Sequence, residues 1–221
     1  MSSGRRGKFV TFEGLDGSGK STQLEKLAAT LRESGIEVVT TREPGGTAIG
    51  ESIRAVLLNS RTRVLDPHAE MALMFASRAQ LIAEVILPAL EAGKWVLCDR
   101  FTDSTEAYQG AGRKLGSDTV QRLHAILCRG LWPDLTILMD TDVSASVKRA
   151  RRRNKAADSE HDENRFEKES AAFFGRVHDG FLEIARRETQ RVVLVNARPP
   201  VEEVHSVIVR IVKERLLRES T

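Results

Sequence analysis

Short apolar runs alternate with longer segments of helical periodicity along most of the chain. The apolar runs predict five β-strands, at residues 8–13, 37–41, 94–99, 134–140 and 191–196. Helices are predicted at residues 19–33, 48–58, 69–92, 103–109, 117–129, 142–153, 164–188 and 201–218. Strands that are apolar throughout and separated by helices are typical of a parallel sheet covered on both faces. The pattern therefore predicts an α/β fold.

The domain organisation follows from length and composition. No internal repeat, low-complexity linker or change of composition divides the 221 residues, so we expect a single domain over residues 1–221. One segment, "RRRNKAADSEHDEN" at about residues 151–164, is polar, highly charged and weakly periodic. We expect this segment to be a mobile surface element.

Composition argues against several classes of protein. The 34 basic and 31 acidic residues give a formal net charge of +3, which disfavours a dedicated nucleic-acid-binding protein. The charged "MSSGRRGKF" is not followed by the apolar core of a signal peptide, and "LIAEVILPAL", interrupted by Glu84 and Pro88, is too short to cross a bilayer. Cys98 and Cys128 lie in apolar runs without metal-binding spacing, which indicates buried reduced thiols. We expect a cytoplasmic protein with no membrane or nucleic-acid partner.

A glycine-rich stretch lies between the first predicted strand and the first predicted helix. It fits the motif G-x-x-x-x-G-K-[ST] in full, and with the next residue it comprises Gly14, Leu15, Asp16, Gly17, Ser18, Gly19, Lys20, Ser21 and Thr22. Glycines let bare backbone N–H groups surround a phosphate chain, and the helix N-terminus adds its positive dipole. In such a loop Lys20 reaches the β- and γ-phosphates of ATP and Ser21 ligates Mg²⁺. The motif predicts nucleotide binding.

Nucleotide binding alone does not define a reaction. A GTPase would need the guanine-reading motif N-K-x-D, and the nearest stretch, "NKAA" at residues 154–157, lacks the aspartate. The combination of this loop with scattered arginines in a small protein indicates an enzyme that transfers a phosphoryl group to a second small anion.

Two further predicted strands end in charged residues. Arg42 and Glu43 follow the second strand, where the turn "PGG" would aim them into the crevice that binds ligands in open α/β sheets. On spacing alone, these two side chains could instead pair on the surface. Asp99 and Arg100 end the third strand, where a carboxylate can hold the Mg²⁺ shell and an arginine can clamp a phosphate. Asp140 ends the fourth strand without an adjacent arginine, so we favour Asp99.

Four stretches together resemble thymidylate kinases: "FEGLDGSGKST", "TREPGGTAIGESIR", "CDRFTDSTEAYQGAGR" and "PDLTILMD". Their order and spacing extend the resemblance over nearly the whole chain, and "REPGGT" and "DR" followed by "AYQG" are more specific than the phosphate loop. The resemblance implies a three-layer P-loop NTPase fold with strand order 2-3-1-4-5 and a short lid. It also implies ATP-dependent phosphorylation of dTMP to dTDP, Mg²⁺ as cofactor and a homodimer.

The resemblance implies roles for individual residues. Arg42 and Arg100 would bind the acceptor phosphate, with Asp99 near Mg²⁺ and the attacking oxygens. Asp16 would contact the 3′-hydroxyl of the sugar or the water shell of the metal. Arg78 would donate to the 4-carbonyl of thymine, a contact that the amino group of cytosine cannot accept. The implied substrate-binding residues are Asp16, Arg42, Glu43, Met74, Phe75, Arg78, Arg100, Thr105, Tyr108 and Gln109.

One position departs from the family pattern. Thymidylate kinases usually place a thymine-stacking phenylalanine four residues before the arginine of this helix, where the chain has Met74, and its phenylalanine is Phe75. Because positions three and four back lie on one helical face, either Phe75 swings onto the base or the Met74 sulfur packs against it. The resemblance implies that Tyr108 lies against C2′ of the sugar, where it would sterically reject a ribonucleotide. Without the resemblance, Tyr108 would be interpreted as an aromatic residue that packs between helices.

The arginine-rich run "KRARRR" at residues 148–153 resembles a catalytic lid. Some thymidylate kinases carry a catalytic arginine in the phosphate loop, and residues 16–18 include none. In the other subgroup, lid arginines neutralise charge on the transferring group. Lids of related kinases have the dipeptide "DR" near the position of Arg165, and only the arginine of that dipeptide is present here. The implied catalytic residues are Lys20, Asp99, Arg100, Arg149, Arg151 and Arg153.

Two alternatives remain open. The chain could phosphorylate another nucleoside monophosphate such as dUMP, or it could be a nucleotide-dependent sensor that transfers nothing. The acceptor arginines and the lid argue against a sensor, which would need neither. In-line attack needs no strong base, because the acceptor phosphate oxygen is already ionised.

Overall fold

Five parallel strands form the centre of the protein. The computed structural model describes residues 6–59, 65–156 and 165–217. The strands are β1 Phe9–Glu13, β2 Val38–Arg42, β3 Trp95–Asp99, β4 Leu135–Asp140 and β5 Val192–Asn196. Their order is β2-β3-β1-β4-β5, and each neighbouring pair is parallel. The predicted α/β class and strand order are confirmed, and each strand lies within one residue of its predicted bounds.

Helices connect the strands. They are α1 Lys20–Glu33, α2 Ala48–Leu58, α3 Pro67–Glu91, α4 at 102–112, α5 Ser117–Leu127, α6 Val143–Ala156, α7 Ala171–Arg187 and α8 at 201–217. Three of them contain a π-helical turn, at Ile82–Ile86, Glu106–Gly112 and Lys213–Leu217. The predicted helix over 164–188 is wrong at its start. The Ser170 hydroxyl accepts a hydrogen bond from the Phe173 N–H and caps α7, so only a 3₁₀ turn, Phe166–Lys168, precedes it.

Helices cover both faces of the sheet, as predicted, because side chains alternate along β1. Val10 points to one face, where it joins a core cluster with Leu27 of α1 and Ile208 of α8. Phe9 points to the other face, where it joins a cluster with Leu81 of α3 and Val120 of α5. A third cluster packs α4 against α7 beneath the phosphate loop, and it includes Leu15, Tyr108, Phe173, Val177 and Phe181. The result is a three-layer arrangement.

The strand register brings the candidate functional residues to one edge of the sheet. Asp99 of β3 is the register partner of Phe12 in β1 and of Arg42 in β2. Since all strands are parallel, the segments that follow β1, β2 and β3 leave the sheet side by side. The phosphate loop, the turn after Arg42 and the turn after Asp99 therefore enclose one crevice.

Among the described residues, α3 is the helix whose length and composition would allow it to cross a membrane. The argument from length against a membrane span therefore fails, because the apolar stretch is part of a 25-residue helix. Core helices pass the same test. Within α3, Glu70 and Arg78 are buried and paired with charged residues of neighbouring segments. These contacts are those of a helix packed inside a protein.

Two glycines of α7 provide a test of how closely α7 approaches α4. A Cβ at Gly180 would lie 2.8 Å from the Cβ of Ala111 and 3.3 Å from the Cα of Ala107, whereas a Cβ at Gly175 would meet nothing within 4 Å. We expect Gly175→Ala to raise the free energy of unfolding by about 0.5–1 kcal/mol. We expect Gly180→Ala to lower it by about 1–3 kcal/mol. Urea unfolding measures both, and shifts of equal sign would contradict the close approach.

Candidate active site

The phosphate loop, residues 14–21, requires glycine at two kinds of position. A Cβ at Gly14 would lie 2.6 Å from the Met139 carbonyl oxygen of β4, so no side chain fits there. Gly17 and Gly19 have φ values of 78° and 95°, in the left-handed region that glycine adopts without strain. Gly19 is the N-cap of α1, which begins at Lys20. The backbone therefore forms a turn whose N–H groups precede a helix N-terminus, an arrangement suited to phosphate.

Lys20 folds back over this loop. Its Nζ donates to the carbonyl oxygens of Gly14, at 3.1 Å, and of Leu15, at 2.8 Å. The side chain is buried, and burial, assisted by the charge of Arg100, lowers its pKa to about 8. A bound phosphate chain would stabilise the charged ammonium. The loop thus keeps a cation that is poorly solvated until an anion arrives.

Ser21 and Asp99 form the candidate metal site. The Ser21 hydroxyl donates to Oδ2 of Asp99 at 2.5 Å, which joins the start of α1 to the end of β3. Within the described residues, no group of three or more His, Cys, Asp or Glu side chains could hold a metal ion. Two protein oxygens fit Mg²⁺, which keeps several waters and is usually completed by substrate phosphates. The donor set present therefore suits a magnesium ion that arrives with a nucleotide.

A cavity opens beside the phosphate loop. It is lined by Asp16, Glu43, Pro44, Arg54, Leu58, Met74, Arg78, Arg100, Phe101, Ser104, Thr105, Tyr108, Gln109 and Phe166. A groove around the phosphate loop continues from it, lined in part by Lys20, Ser21 and Asp99. The residues that line both are Asp16, Glu43, Arg54 and Arg100. Cavity and groove therefore meet end to end.

Arg100 lies where the cavity meets the groove. Its guanidinium donates to Oδ1 of Asp16 at 2.7 Å and to the hydroxyl of Ser104 at 2.7 Å, and it lies 5.1 Å from the ring centre of Tyr108. Its backbone has a φ of 74°, an uncommon conformation for a residue with a side chain. Its N–H nevertheless continues the sheet by donating to the Phe12 carbonyl at 2.9 Å. The turn therefore aims the guanidinium back across the crevice.

Arg78 and Glu43 form a buried ion pair in the cavity wall. Nε of Arg78 lies 2.7 Å from Oε2 of Glu43, and Nη2 donates to the Thr105 hydroxyl at 2.9 Å. Burial raises the pKa of Glu43 to about 7, although the charge of Arg78 opposes the shift. Nη1 of Arg78 has no hydrogen-bond partner in the described part of the chain. The pair fixes the orientation of an arginine in the cavity wall.

The structure distinguishes between Met74 and Phe75, the two residues that were predicted as alternatives for packing on the base. Met74 lines the cavity, whereas Phe75 does not. Phe75 is fully buried in the core, and the Arg78 guanidinium lies 4.9 Å from the centre of its ring. The expectation that Phe75 could swing onto the base is therefore corrected, because the rotation of α3 turns its ring into the core. The other predicted pocket residues, Thr105, Tyr108 and Gln109, do line the cavity.

Arg42 lies outside the cavity and lines the groove. Its Nη2 donates to both carboxylate oxygens of Glu51, at 3.2 and 3.0 Å. Oε1 of Glu51 also accepts from the Gly46 N–H at 2.8 Å. The alternative in which Arg42 pairs with Glu43 is wrong, since Glu43 pairs with Arg78. Glu51 instead holds Arg42 against the turn that follows β2.

The predicted lid arginines are described only in part. Nε of Arg149 donates to the Gly17 carbonyl of the phosphate loop at 2.8 Å, and its Nη2 donates to the Thr141 hydroxyl at 3.0 Å. The side chains of Arg151 and Arg153, and all of residues 157–164, lie outside the described part of the structure. The expectation of a mobile lid at about 151–164 therefore stays a prediction. Arg149 joins α6 directly to the phosphate loop.

Sequence reasoning missed six residues of the cavity wall, namely Pro44, Arg54, Leu58, Phe101, Ser104 and Phe166, and two of them matter for the site. Arg54 lines both the cavity and the groove, and its Nη1 donates to the Pro44 carbonyl at 2.9 Å. Arg54 ends the stretch "TREPGGTAIGESIR", so it was visible as a further cation near the acceptor segment. Phe166 lines the cavity from the turn before α7. Nothing local in the sequence marks it, because its neighbours in space come from distant segments.

The comparisons with known proteins agree with this geometry. A protein-family model described as "Thymidylate kinase" matches residues 12–208. The thymidylate kinase of Pelobacter propionicus is 45% identical over 215 residues, which cover 97% of this chain and 98% of that protein. The thymidylate kinase of Solidesulfovibrio magneticus is 47% identical over 200 residues, covering 90% and 96%. The chain belongs to the thymidylate kinase family.

A solved structure supports the same assignment. The thymidylate kinase of Ehrlichia chaffeensis has a TM-score of 0.75 and 33% identity, and the match covers 94% of this chain and 99% of that one. Members of the family transfer phosphate from ATP to dTMP and produce dTDP. The predicted family, enzyme class and ATP-dependent phosphorylation of dTMP are therefore confirmed. The sensor and the kinase for another acceptor are not favoured.

The lowered pKa of Lys20 predicts proton uptake when ATP binds. Phosphates near Nζ raise this pKa again, so binding favours the protonated form near and above pH 8. ATP affinity is then full below pH 8 and falls as the pH rises through the lowered pKa. Calorimetry at pH 8.5 in buffers of different ionisation enthalpy measures the uptake. Lys20→Arg, which stays charged, is the control without uptake, and a parent protein that takes up no proton would contradict the prediction.

Proposed function

We propose that the chain transfers the γ-phosphoryl group of ATP in line to a phosphate oxygen of dTMP, with dTMP in the cavity and the triphosphate in the groove. The observation that carries this proposal is the continuity of the two spaces, which share Asp16, Glu43, Arg54 and Arg100. A donor and an acceptor phosphate that enter from the two sides come together at the guanidinium of Arg100. Holding both reactants in line supplies a large part of the rate acceleration of such a reaction.

Neutralisation of the negative charge on the transferring phosphoryl group is the second contribution to the rate acceleration. Lys20 and the phosphate-loop N–H groups lie on the donor side, and Arg100 lies at the junction. Ser21 and Asp99 would hold Mg²⁺, which would supply positive charge beside the phosphates. Arg42 lines the groove, and Arg54 lines both the groove and the cavity, so both add positive charge near the place where the two phosphates would meet. These cations face the region where charge develops on the transferring group.

Arg149, Arg151 and Arg153 complete the proposed catalytic set. The Arg149 contact with Gly17 supports a function of α6 beside the phosphate loop. Arg151 and Arg153 follow on the same helix, which runs to Ala156. Side chains that close over both nucleotides would exclude water and suppress hydrolysis of ATP. This part of the proposal rests on the family resemblance and the course of α6.

The walls of the cavity support selection of a thymine deoxynucleotide. Arg78, fixed by Glu43 and Thr105, presents a hydrogen-bond donor that suits a 4-carbonyl and mismatches the 4-amino group of cytosine. Tyr108 lies beside Arg100 and is packed on Phe166, at 5.7 Å between ring centres. A ring held in this way would leave no space for a 2′-hydroxyl. Asp16 would accept from the 3′-hydroxyl.

The substrate and metal assignments can be tested in one assay. ADP release is measured with purified protein, ATP and dTMP, dUMP, dCMP, AMP or GMP, with and without Mg²⁺. We expect dTMP to be the best acceptor and dUMP to react about 10-fold or more slowly, since it lacks one methyl group. With dCMP, the two purine nucleotides or no Mg²⁺, release should be at background. Absence of dTDP in the complete mixture would contradict the proposed function.

We also propose a cytoplasmic homodimer that forms through α2 and α3. Exposed apolar side chains on α2, Ile49 and Val56, lie near a face of α3 that exposes Ala72 and Ala76. Small residues on that face allow two copies of α3 to approach closely. Cys98 and Cys128 are free buried thiols, in keeping with a reducing compartment.

The dimer predicts a response to one added charge. Ala76→Arg, on the exposed face of α3, should convert a dimer into a monomer because it buries an unpaired cation. Leu194→Arg is a control on β5, at the edge of the sheet, where the parent side chain is also exposed. Light scattering after size-exclusion chromatography gives both masses. A monomeric parent, or a dimeric Ala76→Arg, would exclude this interface.

A further inference from the structure

A fully buried carboxylate, that of Glu70 on α3, lies behind the cavity wall and has no part in the proposed transfer. Its Oε1 accepts from Nε2 of Gln109 at 2.8 Å and from Nε of Arg113 at 3.1 Å. Its Oε2 accepts from Nη2 of Arg113 at 3.1 Å and lies 2.7 Å from Nη1 of Arg165. One carboxylate thus gathers donors from two separate segments of the chain: α4 with its C-cap Arg113, and the turn before α7.

Both of these segments contribute to the cavity wall. Gln109 lies on α4 and lines the cavity itself. Arg165 is held by Glu70 and by the end of α2: its backbone N–H donates to the Leu58 carbonyl at 3.1 Å, and its Nε donates to the Leu57 carbonyl. Leu58 is also part of the cavity wall. The ion pair and these two hydrogen bonds therefore fix the turn before α7 against α3 and α2, which both contribute to the cavity wall.

The residue held in place by this turn is Phe166. Its ring lines the cavity, makes an edge-to-face contact with Tyr108 at 5.7 Å, and lies 4.5 Å from the Arg165 guanidinium. Met74, at the position where the family usually has a stacking phenylalanine, has no ring. Tyr108 is positioned next to Arg100, towards the phosphate end. Phe101 also lines the cavity, but its side chain is fully buried, whereas Phe166 keeps some exposed surface and belongs to the cluster against which Met74 packs. Among the described residues, Phe166 therefore offers a ring to a base that lies beside Met74.

We propose that Glu70 is a positioning residue that holds Phe166 and Gln109 in the acceptor cavity, and that Phe166 supplies the aromatic surface that packs on the base. This inference rests on the proposed location of dTMP. The electrostatics give the reason: the Arg113 and Arg165 side chains approach the same carboxylate, and without its charge two cations would remain in a buried site. Glu169, 2.6 Å from Nη1 of Arg113, balances only one of them. Separation of the arginines would move Phe166 out of the wall.

Glu70→Gln tests the positioning function. We expect the dTMP dissociation constant, measured by calorimetry without ATP, and the KM for dTMP to rise about 10-fold, the loss typical of a misplaced base contact. The KM for ATP should stay within about 2-fold of the parent, because the groove shares none of these contacts. Glu106→Gln is the matched control. Glu106 is a buried carboxylate on α4 that pairs with Arg187 at 2.6 Å, away from the cavity.

Two outcomes separate a positioning function from a structural one. If Glu70→Gln is destabilised as Glu106→Gln is but binds dTMP within about 2-fold of the parent, the proposal is wrong. If both variants lose dTMP affinity equally, the loss is a general effect of removing a buried charge, and the proposal is again wrong. A parent protein that binds no dTMP would instead overturn the proposed function.

Phe166→Leu and Met74→Leu test the second half of the proposal and remain informative if Glu70→Gln does not fold. Both substitutions keep an apolar side chain, and only the first removes a ring. We expect Phe166→Leu to weaken dTMP binding about 10-fold and Met74→Leu to change it by less than about 2-fold. The reverse order, or unchanged affinity in Phe166→Leu, would exclude Phe166 as the surface that packs on the base.

Discussion

Pairing of arginines with carboxylates is the constraint on which this site depends. A site that binds two polyanions needs several cations close together, and in the free protein these cations repel one another. Three arginines that line the cavity or the groove are paired with carboxylates: Arg42 with Glu51, Arg78 with Glu43 and Arg100 with Asp16. The carboxylates hold each guanidinium in a defined direction before any nucleotide binds, which reduces the cost of organising the site during the reaction.

The parallel sheet brings these pairs together. Because β1, β2 and β3 end at the same edge, short turns suffice to bring Lys20, Arg42 and Arg100 around one crevice. The two nucleotides then need different walls, and the fold provides them from different elements. The groove is formed mainly by the phosphate loop, whereas the base end of the cavity is formed by α2, α3, α4 and the turn before α7.

Local patterns in the sequence were sufficient for the strands and the phosphate loop, whereas the strand order came from the family resemblance. Each strand is a compact apolar run, and the glycines at positions 14, 17 and 19 have the close contacts or positive φ values that the motif requires. The orientation of α3 was not predictable. Whether Met74 or Phe75 faces the cavity depends on how α3 is rotated about its axis, and that rotation is set by packing against core residues that are distant in sequence. The same limit applies to Phe166 and Glu70, whose partners are distant in sequence.

The Glu43–Arg78 pair has a consequence for how the sequence of such a protein can change over time. Both side chains are almost entirely excluded from water, so replacing either one alone leaves an isolated charge in the interior at a cost of about 3–5 kcal/mol. That cost is a large part of the stability of an ordinary domain. A substitution at one of these positions therefore becomes tolerable only together with a compensating substitution at the other.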